Sequence, residues 1–259
     1  LKEFDMTSTK NYEGRHTPET GPRNMRYYVI GDLHGRLDLL EKSVQKISDH
    51  VGENVFQIIT LGDYIDRGPN SRGVIEYLMA HPEIIALQGN HEAMAVQTIS
   101  CSLNTSWWAG NGGGATLQSY GQNYWNGDDL YTSLVPEEHV QWMHSLPLYY
   151  ETEKQVFVHA GIPNDAPLAE QQYDTRSDGA VKFQWMLYGP SDHGGWRGKH
   201  VVHGHHQHSD GPKIYKPGST GGGRTNLDTY AWKTGRIVIG VFDDTQGTPL
   251  EFIEVTDEE

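Results

Sequence analysis

Apolar residues in this chain fall into short runs separated by stretches with helical spacing. Tyr27-Tyr28-Val29-Ile30 is the first run, closed by Gly31. Leu37, Leu40, Val44, Ile47 and Val51 then recur every three or four residues, which predicts an amphipathic helix. Val55 to Leu61 reads as a buried strand, and Ser71 to Ala80 as a helix with Val74, Ile75 and Leu78 inward, stopped before Pro82. Ile84 to Gln88 is a third strand, with a further helix near residues 92–100. Strand, helix, strand, helix, strand in this order predicts an α/β architecture with a parallel segment.

The second half is less regular. Pro136 with Glu137 and Glu138 opens a helix to about Ser145. Gln155–Val158 and Lys199–Val202 read as strands, and Pro163 to Trp196 as an irregular polar excursion. Ile237–Phe242 and Leu250–Val255, joined by a polar turn, predict a terminal hairpin. Between the halves lies Trp107-Trp108-Ala109-Gly110-Asn111-Gly112-Gly113-Gly114, read as an uncharged, glycine-rich aromatic loop. It does not run from a strand into a Lys-Ser/Thr pair, so it is no phosphate-cradling loop. It is either a structural turn or a wall beside a site.

Composition narrows the function classes. The net charge is −14 with histidines neutral, and the apolar fraction is 36%. That surface argues against nucleic-acid binding, which needs clustered Lys and Arg. No window approaches the ~18 apolar residues of a spanning helix, so no membrane role is expected. The one cysteine, Cys101, excludes a disulfide framework and a thiolate zinc site and fits a reducing cytoplasm. Residues 1–24 are polar and aperiodic and read as an N-terminal extension. Residues 25–259 read as one domain, with Met25 a natural start.

The chemistry gathers where strands end. The five runs finish in Asp32-x-His34, Asp63-x-x-Asp66-Arg67, Asn90-His91, His159, and His203-Gly204-His205-His206. Ligands of open α/β sheets collect at the carboxyl ends of strands, so these ends predict a shared crevice. Carboxylate, amide and imidazole donors without thiolate suit Mn²⁺, Fe or Zn²⁺. Six such donors exceed the needs of one open catalytic ion but serve two ions about 3.5–4 Å apart with a shared carboxylate.

Gly31-Asp-x-His-Gly35, Gly62-Asp-x-x-Asp-Arg-Gly68, Gly89-Asn-His-Glu92, His159-Ala-Gly161 and Gly204-His205 together resemble the motif set of PPP-type phosphoprotein phosphatases, within the calcineurin-like metallophosphoesterases. The chain looks most like the small bacterial members, of the phage lambda and Rhizobiales-like types. The resemblance covers roughly residues 25–245, including Leu146–Tyr150 and Arg224–Thr229. It implies two mixed β-sheets face to face with helices outside. It implies Asp32, His34 and Asp63 as ligands of one metal, and Asn90, His159 and His205 as ligands of a second, with Asp63 bridging. Mn²⁺ is the expected ion, ahead of Fe or Zn²⁺, and a bridging hydroxide the expected nucleophile.

By the same resemblance His91 is the general acid, Asp66 orients it and raises its pKa, and Arg67 clamps phosphate. The implied substrate is a Ser/Thr phosphoprotein or phosphopeptide, with Tyr activity in view; oligomeric state is left open. The alternatives are a symmetrical dinucleoside-tetraphosphate hydrolase of the same superfamily and a degenerate, ligand-binding member. Family members usually carry a second clamping arginine where this chain has Leu187; Arg197, Arg176 and Arg36 are the candidates to replace it. His203, His206 and His208 are expected to be solvated or to stand behind the ligands.

Overall fold

The structure, a computed structural model, describes residues 25–101, 105–121, 132–163, 165–171, 181–189, 192–217 and 222–258. The polar extension of residues 1–24 lies outside them, as does Arg176. Strand β1 (Arg26–Ile30), helix α1 (Leu37–Val51), β2 (Phe56–Thr60), α2 (Ser71–Ala80), β3 (Ile85–Ala86) and α3 (Asn90–Cys101) form the predicted alternating unit. Two short helices follow, α4 (Thr105–Gly110) and α5 (Gly113–Tyr120), and then α6 (Glu137–Ser145). The second half runs β4 (Tyr149–Glu151), β5 (Gln155–Val158), α7 (Leu168–Gln171), α8 (Lys182–Trp185), β6 (His200–His203), β7 (Lys213–Tyr215) and β8 (Arg224–Asn226). It closes with α9 (Ala231–Thr234), β9 (Arg236–Asp243) and β10 (Glu251–Thr256).

The strands make two five-stranded sheets, ordered β10-β9-β1-β2-β3 and β4-β5-β6-β8-β7. Each has a parallel run, β1-β2-β3 at one edge of the first and β5-β6-β8 in the middle of the second, completed by antiparallel strands. Alternation along β1 shows why the sheets stack. Tyr27 and Val29 pack with Ile59, Leu61, Phe157, Val202 and Phe242 between the sheets, whereas Tyr28 and Ile30 pack with Leu39, Leu40, Ile47 and Val74 under the helices. Period two delivers successive side chains to opposite faces, so a strand covered on both reads as a continuous apolar run. This is a two-sheet α/β sandwich with helices outside. Among the described residues no helix is long and apolar enough to cross a membrane.

Three sequence expectations shift. The Val55–Leu61 strand is shorter and wetter at its start, with Val55 49% and Phe56 41% exposed. Strands β4, β7 and β8 and helices α7, α8 and α9, of three or four residues each, had no periodicity to show themselves by. The glycine-rich aromatic segment is not a loop but helices α4 and α5, broken at Gly112, whose φ of 108° needs glycine.

Candidate metal centre

The ends of β1, β2 and β3 are stitched together by backbone and by one buried carboxylate. The amides of Leu33 and His34 both donate to the carbonyl of Asp63, at 3.0 and 2.7 Å, and Gly35 N–H donates to the carbonyl of Tyr64. Glu92, on the first turn of α3, accepts from the amides of Asp63, Tyr64 and Gly89 at 2.8–2.9 Å. Burial raises its pKa to about 7 against those three donors. Nothing in the sequence pattern marks this structural part of Glu92, because a carboxylate bridging two loops leaves no local pattern.

The backbone around these ends is unusual. Seven described non-glycine residues have positive φ, and five of them, His34, Asp63, Asp66, Arg67 and His205, are site residues named from the sequence. Left-handed backbone costs a non-glycine residue on the order of 1–2 kcal/mol, so such a concentration marks where the fold holds strain for a purpose. Gly204 allows a different economy: a Cβ there would collide with the Asp32 carboxylate.

Asp63 lies at the centre. Its Oδ1 is 3.3 Å from Nε2 of His159, and its Oδ2 is 3.5 Å from Nε2 of His34 and 3.8 Å from Nε2 of His91. Two donor groups result, His34–Asp63–His91 and Asp63–His159–His205, with the ligand atoms of each within 4.8 Å of one another. Asp63 belongs to both. The first group holds His91 where the sequence reading placed Asp32. Asp32 is turned instead to the backbone N–H of His205, 3.1 Å from each carboxylate oxygen. Its carboxyl also meets that of Asp228, a buried acid that the sequence reading passed over. Asp228 Oδ1 accepts from the amide of Tyr230, while Oδ2 is buried without a donor.

Imidazole tautomers follow from the outer contacts. Nδ1 of His34, His91 and His159 faces the carbonyl of Ile65 (2.8 Å), the carboxylate of Asp66 (2.6 Å) and the carbonyl of Leu61 (2.9 Å). Each acceptor requires an Nδ1 proton, which leaves three Nε2 lone pairs aimed inward. Nε2 of His159 also faces Oδ1 of Asn90 at 2.8 Å, two acceptors converging on one point. Burial, then the Asp228 and Asp63 carboxylates, pushes the Asp32 carboxyl well up; burial, then Glu92, does the same to Asp63. Burial also holds His34 well below its ordinary value and His159 down to about 3. Crowded acids, converging lone pairs and an orphaned carboxylate oxygen all call for positive charge. This oxygen and nitrogen donor set fits divalent metal.

Around the metal donors stand the other predicted residues. Asp66 accepts from Nε1 of Trp108 at 3.0 and 3.1 Å and from the Thr116 hydroxyl at 2.5 Å, while its amide donates to Ser71 and Thr116. Burial raises it to about 7. The expectation that Asp66 raises the pKa of His91 is not met: burial, then Arg67, holds the imidazole well below its ordinary value. Thr116→Val keeps the side-chain shape but removes a donor to the buried carboxylate. We expect a stability loss of about 1.5–3 kcal/mol, read as a lower urea midpoint at unchanged m-value; an unaltered midpoint would show that the hydroxyl carries no such load.

Arg67 lays its guanidinium across Nε2 of His34 (2.8 Å) and Nε2 of His91 (2.9 Å). The candidates for a second clamp diverge. Leu187 is 62% exposed. Arg36 is committed to Asp38, Asp257 and the carbonyl of Ala231. Arg197 lines a cavity of about 170 Å³ with Ile162, Pro163 and Tyr188, its Nε on the carbonyl of Asp165. His203 is buried between the carbonyl of Gly204 and the Arg224 guanidinium, so it stands behind the cluster; His206 and His208 are half-buried neighbours with ring centroids 5.1 Å apart.

Comparison with known proteins decides the family, since the calcineurin-like phosphoesterase model matches residues 25–233. The chain belongs to the calcineurin-like phosphoesterases. It is similar to "Serine/threonine-protein phosphatase 2" of Escherichia coli, 35% identical over 85 residues, 33% of this chain and 38% of that one. It is also similar to "Bis(5'-nucleosyl)-tetraphosphatase, symmetrical" of Nitrosococcus oceani, 27% identical over 179 residues, 67% of this chain and 54% of that one. The matched stretches thus span less than two thirds of these relatives. A solved metallophosphoesterase from Sphaerobacter thermophilus shares the fold at 18% identity, TM-score 0.51, covering 89% of this chain and 88% of that one. The family is named for phosphoester chemistry, and this chain's cluster of His and Asp donors is able to hold metal.

Proposed function

We propose that this phosphoesterase is a dinuclear, metal-dependent phosphomonoesterase of the small bacterial type. Its substrate is a phosphoprotein or phosphopeptide, Ser/Thr-directed with Tyr activity alongside. Asp32, His34 and Asp63 would hold one ion and Asp63, Asn90, His159 and His205 the other, with Mn²⁺ first and Fe or Zn²⁺ next. The observation that carries this reading is the division of the Asp63 oxygens between His34 and His159. Divalent ions in such a site supply Lewis-acid polarisation of the phosphoryl group and an activated water. The lone Cys101 suits a cytoplasmic enzyme.

The chain's own residues do the rest. Arg67 presents planar N–H donors at the mouth of the cluster, matched to phosphoryl oxygens. His91 keeps Nε2 inward and Nδ1 against Asp66, so once Nε2 is protonated the ring delivers that proton to the leaving oxygen from a fixed direction. Thr116 and Trp108 fix Asp66 and thereby the ring. The Asp66–His91 contact also favours a phosphatase over the tetraphosphatase reading, in whose family the acid at this position is typically missing.

Phosphopeptide and diadenosine tetraphosphate turnover, measured side by side with Mn²⁺, tests the reading; strong preference for the dinucleotide overturns it. p-Nitrophenyl phosphate turnover no higher than that of an Asp63→Asn control would favour a binding module instead. His91→Asn is expected to retain its metals by elemental analysis and to lose about 10²–10⁴-fold in kcat. If that variant emptied the site, His91 would be a ligand, as its grouping with His34 and Asp63 allows.

A further inference from the structure

Trp107 and Trp108 are adjacent in the chain but serve opposite surfaces. Trp108 is fully buried with its indole N–H on Asp66. Trp107 consequently turns outward, 41% exposed, and stacks on Trp185 with ring centroids 5.4 Å apart and planes 22° from parallel. Trp185 in turn meets the His205 ring edge-on, at 5.9 Å and 78°. An aromatic series therefore leads from a residue of the metal-donor cluster to the surface.

Both ends of this series are anchored. Gln184, beside Trp185, donates to the side chain of Gln88 and to the carbonyl of Gly89, and the amide of Ala160 donates to the carbonyl of Phe183. Those contacts tie α8 to the strand ends that carry Asn90 and His159. The Trp108–Asp66 contact ties α4 to the loop that carries Arg67. A platform so fixed needs no reorganisation to receive a flat group.

We propose that Trp107 and Trp185 form a subsite for an aromatic leaving group, so that aryl phosphomonoesters such as phosphotyrosine gain a contact that alkyl ones such as phosphoserine do not make, which is the source of the Tyr activity. The subsite rests on the phosphomonoesterase reading above. Two observations select the aryl ester. The platform begins beside His205, and the ring of an aryl phosphate is bonded directly to the ester oxygen, so phosphate in the cluster brings that ring close to the indoles. A nucleobase lies further out, beyond a ribose and additional phosphates. In the reaction the oxygen of water bonds to phosphorus as the bond to the phenolic oxygen breaks. The phenol departs with a proton, and inorganic phosphate is released.

Phosphotyrosyl and phosphoseryl peptides of otherwise identical sequence test this in the metal-loaded enzyme. Trp107→Ala is expected to lower kcat/KM on the phosphotyrosyl peptide about fivefold more than on the phosphoseryl one, the scale of one aromatic pair. Trp107→Phe restores most of the difference. Equal losses on both peptides, or none on either, overturn the proposal. Calorimetry supplies a reading without turnover: the wild type binds phenylphosphonate about fivefold more tightly than ethylphosphonate, and Trp107→Ala levels the two. If neither peptide is cleaved, the phosphomonoesterase reading fails while calorimetry still decides the subsite. If the Trp107→Ala loss instead follows diadenosine tetraphosphate, the aryl assignment is overturned.

Discussion

Asp63→Asn is expected to abolish two-metal binding and to lower phosphomonoester turnover by about 10³-fold or more, the several kcal/mol that metal activation supplies. The cause is the division of labour between its oxygens. Oδ1 faces His159 and accepts the amide of His91, while Oδ2 faces His34 and His91. An asparagine has one acceptor oxygen and no charge, so in either rotamer one half of the centre meets an NH₂ group instead of a ligand. Elemental analysis should therefore fall from two ions per chain to one or none.

The same substitution should act oppositely on the metal-free protein. Burial and the neighbouring Glu92 push the Asp63 carboxyl well above its ordinary pKa. For an acid whose folded pKa is raised, the folded state binds more protons than the unfolded one. Stability is then lost as pH rises from the unfolded pKa through the folded one. At neutral pH the ionised Asp63 is a burden that asparagine removes. Metal-free Asp63→Asn should unfold at the same or a higher temperature than metal-free wild type, and added Mn²⁺ should raise the midpoint of the wild type more than that of the variant. An Asp63→Asn protein that still takes up two ions, or gains as much stability from Mn²⁺ as the wild type, would show that the metals do not share this residue.

The part of this centre that sequence reading reached is the part held by short local patterns. Glycine-bounded strand ends carrying Asp, Asn and His mark a sheet's carboxyl edge, and the structure gathers Asp63, His34, Asn90, His159 and His205 there. What escaped depends on contacts across the chain. Arg36 was a reasonable second clamp until its pairing with Asp257, 221 residues away, committed it elsewhere. Glycines made residues 107–114 look like a loop. In the folded chain α4 and α5 form because burial of Trp108 against Asp66 outweighs weak local propensity. Asp228 had no pattern of its own, and its partner Asp32 lies on the other sheet's side of the site, at the end of β1.

Arg67→Ala is expected to reduce kcat/KM by about 10²–10³-fold, the cost of removing one preorganised donor to a transition-state oxygen. The effect should be large because a second guanidinium is lacking at the usual position: Leu187 stands there, 62% exposed, and Arg36 is paired elsewhere. Arg67 is also costly to hold in place, with a φ of 67° and its amide on the carbonyl of Gly112. Its guanidinium is thus held beside the cluster before substrate arrives. Metal content should be undiminished, since the change removes a positive charge beside His34 and His91. Arg67→Lys should recover only a small part of the loss, because an ammonium cannot reproduce the planar fork. Leu187→Arg in the Arg67→Ala background should recover more, by supplying a guanidinium where family members usually carry one. A loss below about tenfold in Arg67→Ala would instead assign the clamp to another cation, with Arg197 beside the His159 loop the first to substitute.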